Sequence, residues 1–185
     1  MKKLLASSLK KHKQGAVIMM ELPAEQYFET NISSIKSLTE EGFEGVYVSF
    51  QRPFGNIYSM LQQQKIKTNK LFFVDVATAF TQEKQQENSR CMHISQQIDI
   101  DELVRAIYTS LDKLKGKKKF IFIDSLTTIA IYKPLSEIMR FTEFLSLTVK
   151  KHEERIVLFF NVAKDLLPKK FIKDIALKVD EVLTV

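Results

Sequence analysis

The chain has 185 residues, 45% of them hydrophobic, and a formal net charge of +6. This length suffices for one sizeable core, so the sequence predicts a single domain over residues 1–185. No apolar run is long enough to span a bilayer, and Lys10, Lys11 and Lys13 interrupt a short apolar start that imitates a secretion signal. A single cysteine excludes an intrachain disulfide and suits a reducing cytoplasm, where we expect the protein to reside.

Apolar runs rich in β-branched and aromatic residues alternate along the chain with segments of helical period. The predicted strands cover residues 16–20, 46–50, 71–76, 120–124, 156–161 and 182–185. Most of these runs are continuously apolar, as in strands that are covered on both faces, which is typical of parallel sheets. The sequence therefore predicts an α/β fold with three layers, α/β/α, around a mainly parallel central sheet.

Three helices are predicted between these strands by apolar residues that recur every three or four positions. The apolar positions are 28, 32, 35 and 38 before Gly42; 100, 103, 107, 111 and 114 after the capping residue Asp99; and 138, 141, 145 and 149 after Pro134. Residues 78–90 are polar, rich in Gln and Glu, and without a period, which favours an exposed loop.

Asp124 ends the fourth predicted strand, and the hydroxyl residues Ser125 and Thr127 follow it. Ligands of parallel α/β sheets bind beyond the carboxyl ends of the strands, so this carboxylate stands where a bound metal is expected. A second interpretation stays open, because an acid at a strand end also caps the turn that follows it.

Four segments, residues 15–20, 45–50, 120–126 and 179–183, resemble the successive core strands of RecA/KaiC-like P-loop ATPases. They span nearly the whole chain in the order that this superfamily has. The most specific match is Ile-Asp-Ser-Leu after an apolar strand, at the end of the third segment. The resemblance implies a RecA/KaiC-like domain in which Asp124 would hold magnesium beside ATP.

The resemblance also implies a phosphate-binding loop, G-x-x-x-x-G-K-[ST], after the first strand. Residues 23–30 stand there instead. With Thr30 on the hydroxyl position, Pro23 and Phe28 replace the glycines and Glu29 replaces the lysine. Shifting the register by a residue or two restores neither the glycines nor the lysine. Two like charges about 4 Å apart repel by roughly 4 kcal/mol at an intermediate dielectric, so a glutamate here would oppose phosphate.

KaiC-like ATPases commonly carry a water-activating glutamate after the second strand, whereas this chain has Gln51. A glutamine orients water but does not accept its proton as a carboxylate does. The nucleotide site is therefore predicted to be vestigial, with Thr30, Gln51, Asp124 and Ser125 as its remnants. We expect no catalytic residue and no bound ATP or magnesium. No structural zinc is predicted either, because the three histidines lie far apart without a Cys or carboxylate cluster at ligand spacing.

The leading hypothesis is a catalytically inactive RecA/KaiC-like domain that acts as a regulatory or protein-interaction module. It would work by self-association or by pairing with an active relative, and Phe54, if exposed, is a candidate anchor for a protein contact. The alternative is an atypical ATPase in which Asp124 holds magnesium and Arg52 or Lys164 holds phosphate.

A third hypothesis, nucleic-acid binding, rests on the lysine clusters. The clusters at residues 10–13, 113–119 and 150–151 precede predicted strands, so in a parallel sheet they gather on one edge. This basic edge, which includes Lys117, Lys118 and Lys119, suits a nucleic-acid backbone or an acidic protein. Lysines at helix ends also stabilise the helix dipole by about 0.3–1 kcal/mol each without any ligand.

Overall fold

A computed structural model describes residues 2–81, 87–151, 155–164 and 166–184 of the chain. Within these ranges, seven strands form one parallel sheet in the order β4-β3-β2-β5-β6-β1-β7. The strands are β1 (Gly15–Leu22), β2 (Glu44–Ser49), β3 (Leu71–Asp75), β4 (Cys91–His93), β5 (Lys118–Asp124), β6 (Arg155–Ala163) and β7 (Glu181–Thr184). The long central strands are buried almost throughout, as their continuous apolar runs predict.

The helices of the described ranges are α1 (Lys2–Lys11), α2 (Tyr27–Glu40), α3 (Phe54–Gln63), α4 (Ile100–Asp112), α5 (Leu126–Tyr132), α6 (Leu135–Lys151) and α7 (Lys169–Ala176). The predicted cap of α4 is confirmed, because the Asp99 carboxylate accepts a hydrogen bond from the Asp101 amide at 2.8 Å. Gly42 follows the end of α2 with φ of +86°, a left-handed conformation that favours glycine and ends the helix. None of the described helices has both the length and the apolar character needed to cross a membrane.

The helices cover both faces of the sheet. α1, α2 and α3 pack on one face, and α4, α5, α6 and α7 pack on the other. The strands alternate between the two layers: on β5, Phe120 and Phe122 face α1–α3, whereas Ile121 and Ile123 face α4–α7. The same alternation directs Asp124 toward the α1–α3 layer. The predicted three-layer α/β/α fold with a parallel central sheet is confirmed.

Some elements escape the sequence prediction. The edge strand β4 has three residues, too few for a periodic signal, and α1, α3, α5 and α7 are not among the three predicted helices. The predicted loop at 78–90 opens with a 3₁₀ turn, Ala77–Phe80. Residues 82–86 of this loop lie outside the described residues. Val185, at the end of the last predicted strand, also lies outside them.

The connections change direction across the sheet between β2 and β5. From β2 the chain proceeds through β3 and β4 toward one edge, whereas β5 and β6 lead toward the other. Ligands of open α/β sheets bind at the carboxyl ends of two such strands. Ser49 and Asp124 are partners in the register of β2 and β5, so the residues that follow these two strands meet at this point.

Candidate functional site

The side chain of Asp124 lies in a closed pocket at the carboxyl end of β5, with only 2% of the residue exposed. The hydroxyl of Tyr47, on the neighbouring strand β2, donates a hydrogen bond to Oδ2 of Asp124. Tyr27 and Asn31, one turn apart at the start of α2, lie beside the same carboxylate and are themselves buried. The peptide bond from Asp124 to Ser125 is cis.

Burial raises the pKa of the Asp124 carboxyl to about 6. The hydroxyls of Tyr47 and Tyr27, the amide of Asn31 and the charge of Arg52 act in the opposite direction and keep this pKa from rising further. Burial and then the negative charge of Asp124 raise the pKa values of both tyrosines well above their usual range, so each keeps its proton at neutral pH. The Tyr47 hydroxyl therefore stabilises this carboxylate through a hydrogen bond, whereas the Tyr27 hydroxyl lies nearby without a hydrogen bond to any described residue.

Several polar atoms around Asp124 have no hydrogen-bond partner among the described residues. They are Oδ1 of Asp124, the hydroxyl of Tyr27, Nδ2 of Asn31 and Oδ1 of Asn161. Asn161, at the end of β6, does donate through its amide to Oδ1 of Asn31 at 2.8 Å. Buried polar groups without partners are rare in native structures, and this cluster surrounds the buried Asp124 carboxylate.

Ser125 and Gln51 meet where β2 and β5 end. The Gln51 amide donates to Oγ of Ser125 at 3.4 Å, and the same oxygen accepts from the amide of Thr128 at 3.3 Å. Ser125 is therefore the N-cap of α5, whereas the Asp124 side chain turns to Tyr47 instead of capping the turn. The capping interpretation of Asp124 is wrong.

The segment that replaces the phosphate loop forms a 3₁₀ turn, Ala24–Gln26, and then runs into α2. Thr30 is buried within α2, and its carbonyl accepts the hydroxyl hydrogens of two serines in the next turn. Glu29 is exposed. The guanidinium of Arg52 lies 4.4 Å above the ring of Phe28.

Three of the four predicted remnants, Gln51, Asp124 and Ser125, come together where β2 and β5 end. Thr30 is the exception, because the α2 side chains beside Asp124 belong to Tyr27 and Asn31.

The basic edge is only partly exposed. Lys117 and Lys118 face solvent, but Lys119 is 6% exposed. Two further lysines of this edge form ion pairs with acids at the start of β7: Lys11 with Glu181 at 3.3 Å and Lys150 with Asp180 at 2.8 Å. Nucleic-acid binding stays a prediction, and these pairs reduce the charge available for it.

The structure brings together three potential metal ligands that the sequence analysis did not predict. They are Asp75, Cys91 and His93, whose ligand atoms lie within 4.8 Å of one another. The signal was available as a Cys-x-His pair, which puts both side chains on one face of a strand. It was overlooked because the short strand β4 was not predicted.

Exposed apolar side chains gather on the outer face of α6. Phe144 is 51% exposed and Leu147 is 59% exposed. Tyr108 of α4 meets the Phe144 ring edge-on, with 6.5 Å between the ring centroids. We call these three residues the α6 surface. A cleft of about 1010 Å³ between α4 and α6 adjoins it, lined by residues that include Asp101, Val104, Arg105, Glu137 and Arg140.

The candidate anchor Phe54 is not available for a protein contact. It is 2% exposed and packs against the rings of Tyr58 and Phe73 at 5.2 and 5.1 Å. The expectation that it could anchor a partner is wrong, because the first turn of α3 directs this ring into the core rather than into solvent.

The fold is similar to solved structures of archaeal proteins. An uncharacterized protein from Pyrococcus horikoshii, in complex with an unknown peptide, is 13% identical with a TM-score of 0.68, over 96% of this chain and 82% of that one. A KaiC-like protein from the same organism is 15% identical with a TM-score of 0.60, over 92% and 71%. The flagellar accessory protein FlaH from Methanocaldococcus jannaschii is 13% identical with a TM-score of 0.60, over 96% and 76%.

At these identities the similarity establishes the fold alone, which this chain shares with the KaiC-like protein and with FlaH. No protein-family model matches the sequence, and no curated protein is significantly similar to it. The activity must therefore be argued from the residues themselves.

Proposed function

We propose that this protein is a catalytically inactive RecA/KaiC-like domain that works through contacts with protein. The observation that carries the proposal is the enclosure of Asp124 by Tyr47, Tyr27 and Asn31. Cytoplasmic location and the absence of a nucleotide cofactor belong to the same proposal.

The residues around Asp124 do not fit a nucleotide-bound magnesium ion. Magnesium demands a near-octahedral shell at about 2.0–2.1 Å and usually keeps several waters. Asp124 is 2% exposed, and the Tyr47 hydroxyl already occupies Oδ2. Oδ1 has no partner among the described residues, but Tyr47 and Tyr27 enclose it as part of the buried core, so a hydrated ion would have to move these rings.

Phosphate binding has equally little support in the segment after β1. Phosphate sites of this superfamily use glycine amides and a lysine, and residues 23–30 supply Pro23 and Glu29 in this region. The guanidinium of Arg52, an alternative phosphate ligand, is stacked on Phe28. Lys164, the other candidate phosphate ligand, is exposed directly after β6. The ATPase hypothesis therefore depends on this lysine for the phosphates and has no open site for the metal at Asp124.

The α6 surface supports the interaction half of the proposal. Phe144 and Leu147 lie three residues apart on the solvent side of α6, opposite the buried residues Ile138, Phe141 and Leu145. Large exposed aromatic and aliphatic side chains beside a cleft are typical of protein-binding surfaces. One protein of similar fold was solved in complex with a peptide, which supports a peptide or protein ligand here.

Nucleotide binding tests the first half of the proposal. We expect isothermal titration with ATP and magnesium to give no heat of binding, and we expect phosphate release to stay at the level of buffer. Micromolar binding that is lost in Asp124→Asn, or measurable ATP turnover, would refute the proposal.

Self-association tests the second half. We expect sedimentation velocity to show concentration-dependent assembly that Leu147→Asp weakens at least tenfold. Leu4→Asp is the matched control, because Leu4 is 46% exposed but lies on α1, which packs on the opposite face of the sheet from α6. Equal effects of both substitutions, or a chain that stays monomeric at its highest soluble concentration, would exclude self-association through α6.

A further inference from the structure

Three metal-ligand side chains meet where β3 and β4 pair at the edge of the sheet. The strand register sets Asp75 opposite His93 and Phe73 opposite Cys91. Cys91 and His93 are two residues apart on β4, so they point to the same face of the sheet as Asp75. The sulfur, a ring nitrogen and a carboxylate oxygen all lie within 4.8 Å of one another.

We propose that Asp75, Cys91 and His93 bind one zinc ion, which links the edge strand β4 to β3. Nδ1 of His93 lies 3.3 Å from Oδ2 of Asp75. Nitrogen and oxygen ligands with bonds of about 2.1 Å at a tetrahedral angle are about 3.4 Å apart, so this pair already has the spacing of two ligands of one zinc ion. The sulfur lies within 4.8 Å of both other ligand atoms, whereas a tetrahedral site needs about 3.6 Å, so it has to move by up to about 1.2 Å to complete the set.

Asp75 is held in a fixed orientation for such a role. The residue is 1% exposed, and three donors reach its carboxylate: the Thr78 amide at 3.0 Å, the Phe54 amide at 3.0 Å and the Thr78 hydroxyl. Oδ2 accepts from the Phe54 amide and the Thr78 hydroxyl, and Oδ1 accepts from the Thr78 amide. Each oxygen has about two acceptor positions, so a bond to a metal forms through Oδ1 or replaces the Thr78 hydroxyl on Oδ2. Fixed outer partners of this kind orient the ligands of metal sites.

The donor set selects the class of metal. Sulfur, imidazole nitrogen and a single carboxylate oxygen suit zinc, whereas magnesium and calcium require oxygen ligands throughout. Three protein ligands leave one tetrahedral position for water or for a donor from a partner.

The group stands apart from the Asp124 pocket, because β2 separates the strand of Asp75 from that of Asp124. The zinc proposal is therefore independent of the proposed function. Failure of one leaves the other untouched.

Cobalt substitution tests the site in the full chain after treatment with a chelator. We expect one equivalent of Co²⁺ to give the visible bands of a tetrahedral ion and a thiolate charge-transfer band in the near ultraviolet, and one equivalent of Zn²⁺ to abolish both. Cys91→Ser should remove the charge-transfer band, and His93→Gln should weaken zinc binding at least tenfold in competition with a chromophoric chelator. Zinc should also slow hydrogen exchange of the Ile94 amide, which donates to the carbonyl of Asp75.

His12→Gln is the matched control. His12 lies at the opposite edge of the sheet beside Glu181, and its replacement should leave zinc affinity unchanged. An octahedral cobalt spectrum, no spectrum at one equivalent, or a charge-transfer band that survives Cys91→Ser overturns the proposal. Cys91 and His93 are only partly buried on an edge strand, and circular dichroism of each variant establishes that it is folded before titration.

Discussion

Replacing Asp124 by asparagine should make the protein more stable at neutral pH. The Asp124 carboxyl has a pKa of about 6 in the folded chain and 3.8 as its ordinary value. Between these two values the folded state holds a proton that the unfolded state has released, so the free energy of unfolding falls as pH rises. The pKa in the folded chain is about two units higher than the ordinary value, and at about 1.36 kcal/mol for each unit this difference corresponds to about 3 kcal/mol. The side chain is fully enclosed, so solvent does not screen this effect.

Asparagine removes the charge but keeps a carbonyl oxygen that accepts the hydrogen bond from Tyr47. We therefore expect the free energy of unfolding of Asp124→Asn to exceed that of the wild type by up to about 3 kcal/mol at pH 7.5, and to match it near pH 4. Urea unfolding at half-unit pH intervals measures the difference. Asp180 and Glu181, whose pKa values are lowered, give stability that is lost as pH falls, but they are present in both proteins and cancel.

Asp112→Asn is the control for this series, because Asp112 is exposed at the end of α4. Its replacement should shift stability by no more than about 1 kcal/mol, the size of a helix-dipole effect. The reasoning fails if the difference between Asp124→Asn and wild type is the same at pH 4 and pH 7.5. It also fails if Asp124→Asn is less stable than wild type at pH 7.5 while remaining folded, since the carboxylate would then be favourable in its pocket.

Three further substitutions test the pocket and the sheet by urea unfolding. Tyr47→Phe removes the hydroxyl that donates to Asp124, and it should lower the free energy of unfolding by about 1–3 kcal/mol above pH 6 and by less below pH 4. An equal decrease at both pH values would show that the hydroxyl does not stabilise the ionised carboxylate. Ser125→Ala removes the N-cap of α5 and should cost about 1 kcal/mol, whereas Ser125→Thr, which keeps the capping hydroxyl, should restore part of it. Gly45→Ala should cost about 1–3 kcal/mol because a Cβ would overlap the ring of Phe120, and full stability would show that this buried ring can move.

The central sheet could be predicted because its strands carry their signal locally. A run such as residues 120–124 is continuously apolar, and only a strand covered on both faces needs that pattern. The cap at Asp99 and the stop at Gly42 are local signals too. β4 has no comparable signal, since its pairing depends on β3 lying beside it and not on its own three residues.

The candidate site could be predicted only in part, for a related reason. Asp124, Ser125 and Gln51 stand at strand ends, and the parallel topology alone brings them together. The partners of Asp124 were missed because Tyr27 and Asn31 reach it from α2 and Tyr47 from the middle of an apolar strand. In sequence each looks like an ordinary core or helix residue, and only the packing of α2 on the sheet reveals the contact.

The α6 surface and the proposed zinc site both lie away from Asp124. Asp124 faces the α1–α3 layer, and so does the group of Asp75, Cys91 and His93, but β2 separates them. The α6 surface lies on the opposite face of the sheet. The Asp124 carboxylate lowers stability by about 3 kcal/mol at neutral pH, and the Tyr47 hydroxyl offsets part of this through a hydrogen bond that joins β2 to β5. Asp124→Asn should therefore stabilise the fold at neutral pH and leave assembly through α6 intact, and loss of assembly in this variant would show that the two faces are coupled.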